Sequence, residues 1–335
     1  MKTGKVSQAV LDRSILRPLR MAGVLGEDAR FGSDSARITS QETSEGAVRC
    51  ASVSGTVTGT FDRTAEMMIC QVQGSLAADG ADIKAVQTGL IVPESLDEKI
   101  LKKLEKEIAA VCSASSISVI GGHTEASDAV TRPVLTVTGF GFEQKNEKTE
   151  TAIAAGDAIV MAGAAACAGT AILTCRGRDE LEKRYAPAFV DDAAALGKHV
   201  SDIGKIRKII SAHGKTMHDI SQGGVFGALW ELGEKCKSGF RIDLRKILLY
   251  QESVEICEYY DLNPYLLYSL GSCLIVTDEA QALVHSLQEA GVPAAVLGTI
   301  TEGAGRELVN EDEIRYLEKP QGDSLWEMAD RRKKV

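Results

Sequence analysis

Met217-His218-Asp219-Ile220-Ser221-Gln222-Gly223-Gly224 runs straight into Val225-Phe226-Gly227-Ala228-Leu229-Trp230-Glu231-Leu232-Gly233-Glu234. The change of pattern between the two stretches decides how this part of the chain folds. Val225, Ala228, Leu229 and Leu232 recur at helical spacing and form one apolar face, which predicts a helix beginning near Gly223. The strand-like Thr216-Met217 precedes it, so the polar residues between form a strand-to-helix turn. The leading amides of such a helix have no partner inside it and add to the positive end of its dipole, while paired glycines admit a ligand close to the backbone. Phosphate is the natural guest of that geometry. The same residues also suit a plain tight turn in which Asp219 or Ser221 caps the helix.

Outward from this turn, strand and helix patterns alternate loosely in both directions. Towards the N-terminus, Lys5 to Leu19 reads as a short helix. Ala47 to Val53, Met67 to Val72, Lys84 to Val92, Ile117 to Ile120 and Val134 to Gly139 read as strands. Ala77 to Ala81 reads as a small-residue helix start or turn, and Leu96 to Cys112 carries a helical pattern in Ile100, Leu101, Leu104, Ile108 and Val111. Glu143 to Glu150 is charged and aperiodic and marks a boundary, giving an N-terminal domain over residues 1–145 and a C-terminal domain over 150–330. The second half offers a strand over Ala158 to Met161, one long helix over Asp191 to Ala212, and a helix over Gln251 to Tyr260. A strand over Cys273 to Thr277, a helix over Glu279 to Ala290 and a strand over Ala294 to Ile300 follow. The expected class is α+β or α/β with mixed sheets.

At 335 residues the chain exceeds the usual single-domain length, and 44% hydrophobic with 25% charged residues is ordinary for a globular protein. A net charge of -9 gives no electrostatic footprint for nucleic acid. The longest nonpolar stretch, Ala158 to Leu173, falls short of the roughly 20 residues that span a bilayer. No apolar run follows Lys2 and Lys5, and eight cysteines without a C-x-x-C pair read as reduced thiols, so a cytoplasmic protein without membrane partners is expected.

Two further constellations carry polar chemistry. Ile117-Ser118-Val119-Ile120-Gly121-Gly122-His123-Thr124-Glu125 reads as a strand that stops at paired glycines and then offers polar side chains, the place where ligands meet strand ends; an ordinary turn with a hydrogen-bonded His123 fits equally. Val24-Leu25-Gly26-Glu27-Asp28-Ala29 sets adjacent acids after a glycine, which suits Mg²⁺ beside substrate phosphates or a plain solvated turn. P-loop, dinucleotide-fold, zinc-protease and nucleophile-elbow motifs are missing, and the five histidines do not pair at zinc-ligand spacing.

Taken in order, these segments resemble the AIR synthase-related superfamily, which includes aminoimidazole ribonucleotide synthetase, thiamine-monophosphate kinase, selenophosphate synthetase and HypE, and the chain is most similar to its HypE-like members. Gly4-Lys5-Val6, Gly26-Glu27-Asp28-Ala29, Gly80-Ala81 before Pro93-Glu94, Gly121 to Glu125 with Pro133 to Gly139, Gly156 to Val160, and His218-Asp219 with Gly223-Gly224 carry the resemblance across nearly the whole chain. It implies a two-domain AIR synthase-like fold, whose N-terminal mixed-sheet domain binds nucleotide and pairs with its twin into a homodimer, and whose C-terminal domain is α+β. It implies ATP and Mg²⁺ as cofactors, with Asp28 and Glu27 as metal ligands. Lys5, Gly121, Gly122, His123, Thr124, His218, Asp219, Ser221, Gly223 and Gly224 would lie at the nucleotide or phosphate.

The chain departs from that pattern where the resemblance places further metal acids. Ser52-Val53-Ser54-Gly55 stands for a Ser/Thr-Asp pair and Gly74-Ser75 for Asn-Asp, with Asp79 and Asp62 the nearby acids. HypE-like members also end in a cysteine that carries the group being processed, and this sequence ends Asp330-Arg331-Arg332-Lys333-Lys334-Val335. Three readings follow: a phosphate-ligand or ATP binder with weak or altered ATP-dependent activity, a non-catalytic scaffold for a protein partner, and a small-molecule kinase or synthetase with a relocated metal site at Asp79.

Overall fold

A computed structural model describes residues 8–24, 32–38, 47–56, 63–143, 152–319 and 322–326. The chain divides into two compact units, residues 35–146 and residues 1–34 together with 147–335. Each is a mixed sheet covered by helices.

The smaller unit carries β1 (Ala36–Arg37), β2 (Val48–Thr56), β3 (Ala81–Pro93), β4 (Ser118–Ser127) and β5 (Val134–Glu143), in the spatial order β1-β2-β5-β3-β4. All neighbours are antiparallel except β3 and β4, which run parallel. Parallel neighbours need a crossover, and the helix Glu98–Ala114 supplies it. Asp97 caps that helix by accepting the Lys99 amide at 2.8 Å, and Leu104, Ile108 and Cys112 at four-residue intervals form its buried stripe. The strands alternate as a one-sided sheet should: Leu135 and Val137 are buried while Thr136 and Thr138 face away.

One expected strand is a helix. Met67 to Val72 lies inside the helix Thr64–Ala78, most of whose residues are buried. An apolar run hidden on nearly every side has no readable period, and only its length and its Met, Ala, Gln and Leu content distinguish it from a buried strand. Ala77 and Ala78 therefore end this helix rather than starting one. Its seat on the sheet requires Gly139, where a Cβ would run into the Val72 side chain.

The larger unit holds β6 (Ala158–Ala162), β7 (Thr216–Ile220), β8 (Gly239–Asp243), β9 (Ser272–Thr277), β10 (Ala294–Thr301), β11 (Arg306–Asn310) and β12 (Glu313–Tyr316), in the order β12-β11-β8-β10-β6-β9-β7. Only β8 and β11 pair parallel. The helix Gly224–Cys236 packs Val225, Ala228, Leu229 and Leu232 against Ile159, Met161, Ile220, Leu274 and Val276 of the sheet.

The expected long helix Asp191 to Ala212 is broken into Pro187–Ala195, a 3₁₀ segment Leu196–Ser201, and Ile203–His213. Leu196, Val200, Ile203, Ile206 and Ile210 all stay buried, so the apolar stripe survives the break. The break falls where the His199 carbonyl meets the backbone at Gly271, an approach that leaves no room for a Cβ there. No helix among the described residues is long and apolar enough to cross a membrane.

Candidate functional site

His218 and Asp219 of the opening motif end up buried beside the helix that follows them. β7 is the edge strand of its sheet and carries His218 and Asp219. Glu231 and Lys235, four residues apart on the helix Gly224–Cys236, stand on one face of it beside the strand. His218 Nδ1 lies 2.9 Å from Asp34 Oδ2 and its Nε2 lies 3.2 Å from Glu231 Oε2. Lys235 Nζ donates to Asp34 Oδ2 and to the Met217 carbonyl, each at 2.9 Å.

Burial alone would discharge all these groups, and their mutual proximity decides which stay charged. Burial pushes the His218 pKa down, but the Asp34 and Glu231 carboxylates outweigh it and raise it from 6.5 to about 10, so the ring is an imidazolium. Burial pushes Asp34 up, yet His218 and Lys235 hold it well below the ordinary carboxylate range. Burial and the Asp34 charge both raise Asp219, which keeps its proton and hydrogen-bonds Asp34. His218 contributes stability in full below its ordinary value of 6.5 and loses it as pH rises through about 10. Asp34 contributes in full above 3.8 and loses it as pH falls through its depressed value.

Donor atoms of Asp34, His218 and Asp219 lie within 4.8 Å of one another, a spacing that admits a metal ion. The chemistry does not fit Mg²⁺, which takes oxygen ligands in a near-octahedral shell. Both nitrogens of the His218 ring are engaged by carboxylates, and the Lys235 ammonium already holds the cation position at Asp34. The opposite charges of this network are supplied by its own side chains.

The glycine turn is also closed from within. Gly223 and Gly224 have φ of 89° and 62°, a conformation in which other residues are strained, and a Cβ on Gly224 would stand 2.5 Å from the Tyr265 carbonyl. The Ser221 carbonyl accepts the amides of Gly224 and Ser269, each at 3.2 Å. The Gly223 amide donates at 2.7 Å to the buried carboxylate of Asp323. An anion does occupy the head of this helix, and the chain supplies it.

In the smaller unit, Gly121, Gly122, His123 and Thr124 lie within β4 rather than after a strand, because the strand continues through the glycines to Ser127. Register with β3 skips Ile120, the extra residue of a bulge, and Gly121 takes φ 149° there. Gly122 passes so close to the Thr88 carbonyl that a side chain has no space. The helices pack on the sheet face of Ala51, Val86, Leu90, Leu135 and Val137. The opposite face presents two aligned rows, Ser52-Thr138-Gln87-Gly121 and Ser54-Thr136-Gly89-His123. Ser52 Oγ and Thr138 Oγ1 are 2.9 Å apart, Ser54 Oγ and Thr136 Oγ1 2.8 Å, and His123 Nε2 stands 3.3 Å from Glu125 Oε2.

The acids around this sheet are elsewhere or engaged. Ser75 sits in the middle of the helix Thr64–Ala78. Asp79 accepts the Ser35 amide at 2.8 Å and its hydroxyl at 2.7 Å and pairs with Arg49 at 3.6 Å. Lys5, Glu27, Asp28 and Asp62 lie outside the described residues. Among the described residues, these paired hydroxyls, with Asp79 held by Ser35 and Arg49, do not by themselves make a Mg²⁺ shell. Sequence reasoning missed Asp34, Glu231, Lys235 and Asp323. Glu231 and Lys235 have a signal in their i,i+4 spacing; Asp34 and Asp323 have none, being 184 and 100 residues from their partners.

The fold and these segments define a family. Residues 32–142 match the AIR synthase related protein N-terminal domain and residues 154–310 match the C-terminal domain. The chain belongs to the AIR synthase-related proteins and is HypE-like. It is 27% identical over 256 residues to a hydrogenase expression/formation protein of Methanocaldococcus jannaschii, covering 75% of this chain and 74% of that one. It is 25% identical over 253 residues to the carbamoyl dehydratase HypE of Rhodobacter capsulatus, covering 72% and 71%. Among solved structures, it shares the fold of HypE in a HypE–HypF complex, with TM-score 0.72, 17% identity, and 92% and 100% coverage. HypE in complex with ATP gives TM-score 0.66 at 17% identity over 97% of both chains. AaThiL complexed with AMPPCP and TMP gives 0.69 at 17% identity, covering 92% and 94%.

Proposed function

We propose that this protein is a homodimeric, HypE-like nucleotide binder that takes ATP or another phosphate ligand on its N-terminal domain, with weak or altered ATP-dependent activity. The observation that carries the reading is the uncovered polar face of the first sheet. Its rows of hydroxyl, amide and imidazole groups offer hydrogen-bond donors to phosphate oxygens, with the single carboxylate of Glu125 beside them at His123. The binding half is supported by the ATP complex of a similar fold. The weak-activity half follows from Ser54 and Ser75 at positions where the family resemblance places metal acids, since charge on a transferring phosphoryl group is stabilised largely by such clamps. Metal dependence then rests on Glu27 and Asp28. The homodimer is supported by β4, an edge strand that exposes nearly all of its ten residues, Val119 and Ile120 included; long apolar edges are covered in native proteins.

Titration calorimetry with ATP, with and without Mg²⁺, tests the reading. Heat of binding at millimolar nucleotide with turnover far below a kinase is expected, and silence in both titrations sinks it. A second reading, a non-catalytic scaffold for a protein partner, is favoured by Asp79, whose carboxylate is held by Ser35 and Arg49 rather than left for a metal. The HypE–HypF complex gives a partner precedent for a similar fold. ATP turnover that vanishes with Asp28→Ala would exclude that scaffold reading, and turnover that vanishes with Asp79→Asn would restore Asp79 as a metal ligand.

A further inference from the structure

Residues 8–21 form one helical run on the larger unit, α-helical over Gln8–Leu11 and Arg17–Met21 with a π-turn over Asp12–Leu16 between them. Leu16 is buried, and Gln8 accepts from Trp230 Nε1 at 3.4 Å and lies 3.5 Å from Glu234 Oε2, which seats the run on the body. Every other residue from Asp12 to Met21 is exposed. Arg13, Arg17 and Arg20 recur at the i, i+4, i+7 spacing of one helix face, and among the described residues none of them has a hydrogen-bond or ion-pair partner. Met21, four residues after Arg17, is 79% exposed, and Val24 beyond it is 69% exposed. Asp12 is the single acid among the first 24 residues of a chain whose net charge is -9. Unpaired arginines beside exposed Met and Val have the composition of a protein contact rather than of a solvated face.

A face of the opposite kind stands on the same unit. The helix Gln251–Tyr259 buries Ser253, Ile256 and Cys257, carries Glu252, Glu255 and Glu258 at three-residue intervals on its other side, and contains no lysine or arginine. None of these carboxylates has an ion-pair partner among the described residues; Glu255 accepts a hydrogen bond from the Gln251 side chain at 2.8 Å. Aromatic rings flank them. Tyr185 donates its hydroxyl to the Glu255 carbonyl at 3.2 Å, stacks on Phe189 at 4.9 Å and meets Tyr259 edge-on at 6.1 Å, and all three rings are partly exposed. The Arg184 guanidinium lies over Tyr185 and Tyr259 at 5.6 and 5.7 Å, so these rings already take a cation.

The two faces match in sign, length and composition. Arg13 to Arg20 spreads three positive charges over about 10 Å of helix, and Glu252 to Glu258 spreads three negative ones over about 9 Å. Met21 and Val24 bring apolar atoms to the tyrosine rings. Within one chain these charges stay unpaired. We propose that the arginine face of Gln8–Met21 docks on the glutamate face of Gln251–Tyr259 in a second copy of this chain. The contact is separate from the β4 edge and holds whether or not that edge pairs. Two short helices side by side cover less than the roughly 800 Å² per partner of a standard interface, so the association is concentration-dependent. A bilayer is a poorer occupant of the arginine face, because no aromatic residue stands among the first 30 to anchor a helix at a lipid interface.

Sedimentation velocity of the full chain over a concentration series tests the proposal at about 0.1 M and about 1 M salt, between which the Debye length falls from about 10 Å to about 3 Å. Association that weakens at least about tenfold at high salt is expected. Arg13→Glu with Arg17→Glu, and separately Glu255→Lys with Glu258→Lys, should each abolish it. An equimolar mixture of the two reversed chains should regain it, since each then offers the other a complementary face. Ile120→Lys, which places a charge on β4, should leave the salt-sensitive step in place. Equal sedimentation of wild type and both reversed chains at every concentration overturns the proposal, as does a mixture that stays dissociated. Should a reversed chain fail to fold, the neutral Arg17→Gln and Glu258→Gln chains and the wild-type salt response decide, and association indifferent to all three overturns it. Wild-type chains that stay apart yet bind phosphatidylserine vesicles or polyglutamate through Arg13 and Arg17 would give the face to a lipid surface or to a different acidic partner, and overturn it equally.

Discussion

Two histidines in this molecule each stand beside carboxylates, and their surroundings make them different objects. His123 on β4 is 3.3 Å from Glu125 with 76% of its side chain exposed, whereas His218 on β7 is 2.9 Å from Asp34 with 2% exposed. The first pair sits in water, where screening and side-chain entropy leave about 0–1 kcal/mol. The second has lost its water, so each charge depends on its neighbours, and removing one strands the others. The exposed pair adds little to the stability of its unit; the buried one is committed to holding its own unit together.

The sharpest way to break the comparison is Asp34→Ala. It leaves the His218 imidazolium and the Lys235 ammonium without their shared carboxylate, and urea unfolding should show a loss of about 3–5 kcal/mol; a loss below 1 kcal/mol would make the buried network no stronger than the exposed pair. Next in size is Gly224→Ala, which sets a Cβ 2.5 Å from the Tyr265 carbonyl at a φ of 62°. A melting-point drop equivalent to about 1–3 kcal/mol is expected from that strain.

The pH dependence sharpens the comparison further. Because the His218 pKa is raised to about 10, wild-type stability should decline only as pH climbs between 6.5 and 10. Glu231→Gln removes one of the carboxylates that raise it, and the alkaline limb of a plot of Tm against pH should move to lower pH; an unmoved limb would remove His218 from that titration. The smallest effect belongs to β4: His123→Ala should change unfolding free energy by less than about 0.5 kcal/mol, while altering phosphate-ligand binding if the open face serves as proposed.

Much of the architecture was legible in the residues. The strands Ala158–Ala162, Ser272–Thr277 and Ala294–Thr301, and the helices Glu98–Ala114, Gly224–Cys236 and Gln251–Tyr259, fall within a few residues of their periodic patterns. The failures have physical causes. Thr64–Ala78 is hidden on nearly all sides, so its pattern carries no period, and the break after Ala195 falls beside a close approach of His199 to the distant Gly271, which local sequence does not contain. The paired glycines at 121 and 122 mark a bulge inside a strand, an event that reads the same as a turn in one dimension.

The opening motif shows where the division falls. Its sequence alone determined a strand, a glycine turn and an amphipathic helix with a positive head, because periodicity, φ preference and the peptide dipole are local properties. Only the tertiary structure decided that Asp34 would charge His218, that Lys235 would take the place of a metal, and that Asp323 would seat itself on the Gly223 amide. Those outcomes depend on which distant groups arrive in a space without water, where electrostatic interactions are strong enough to set protonation and occupancy.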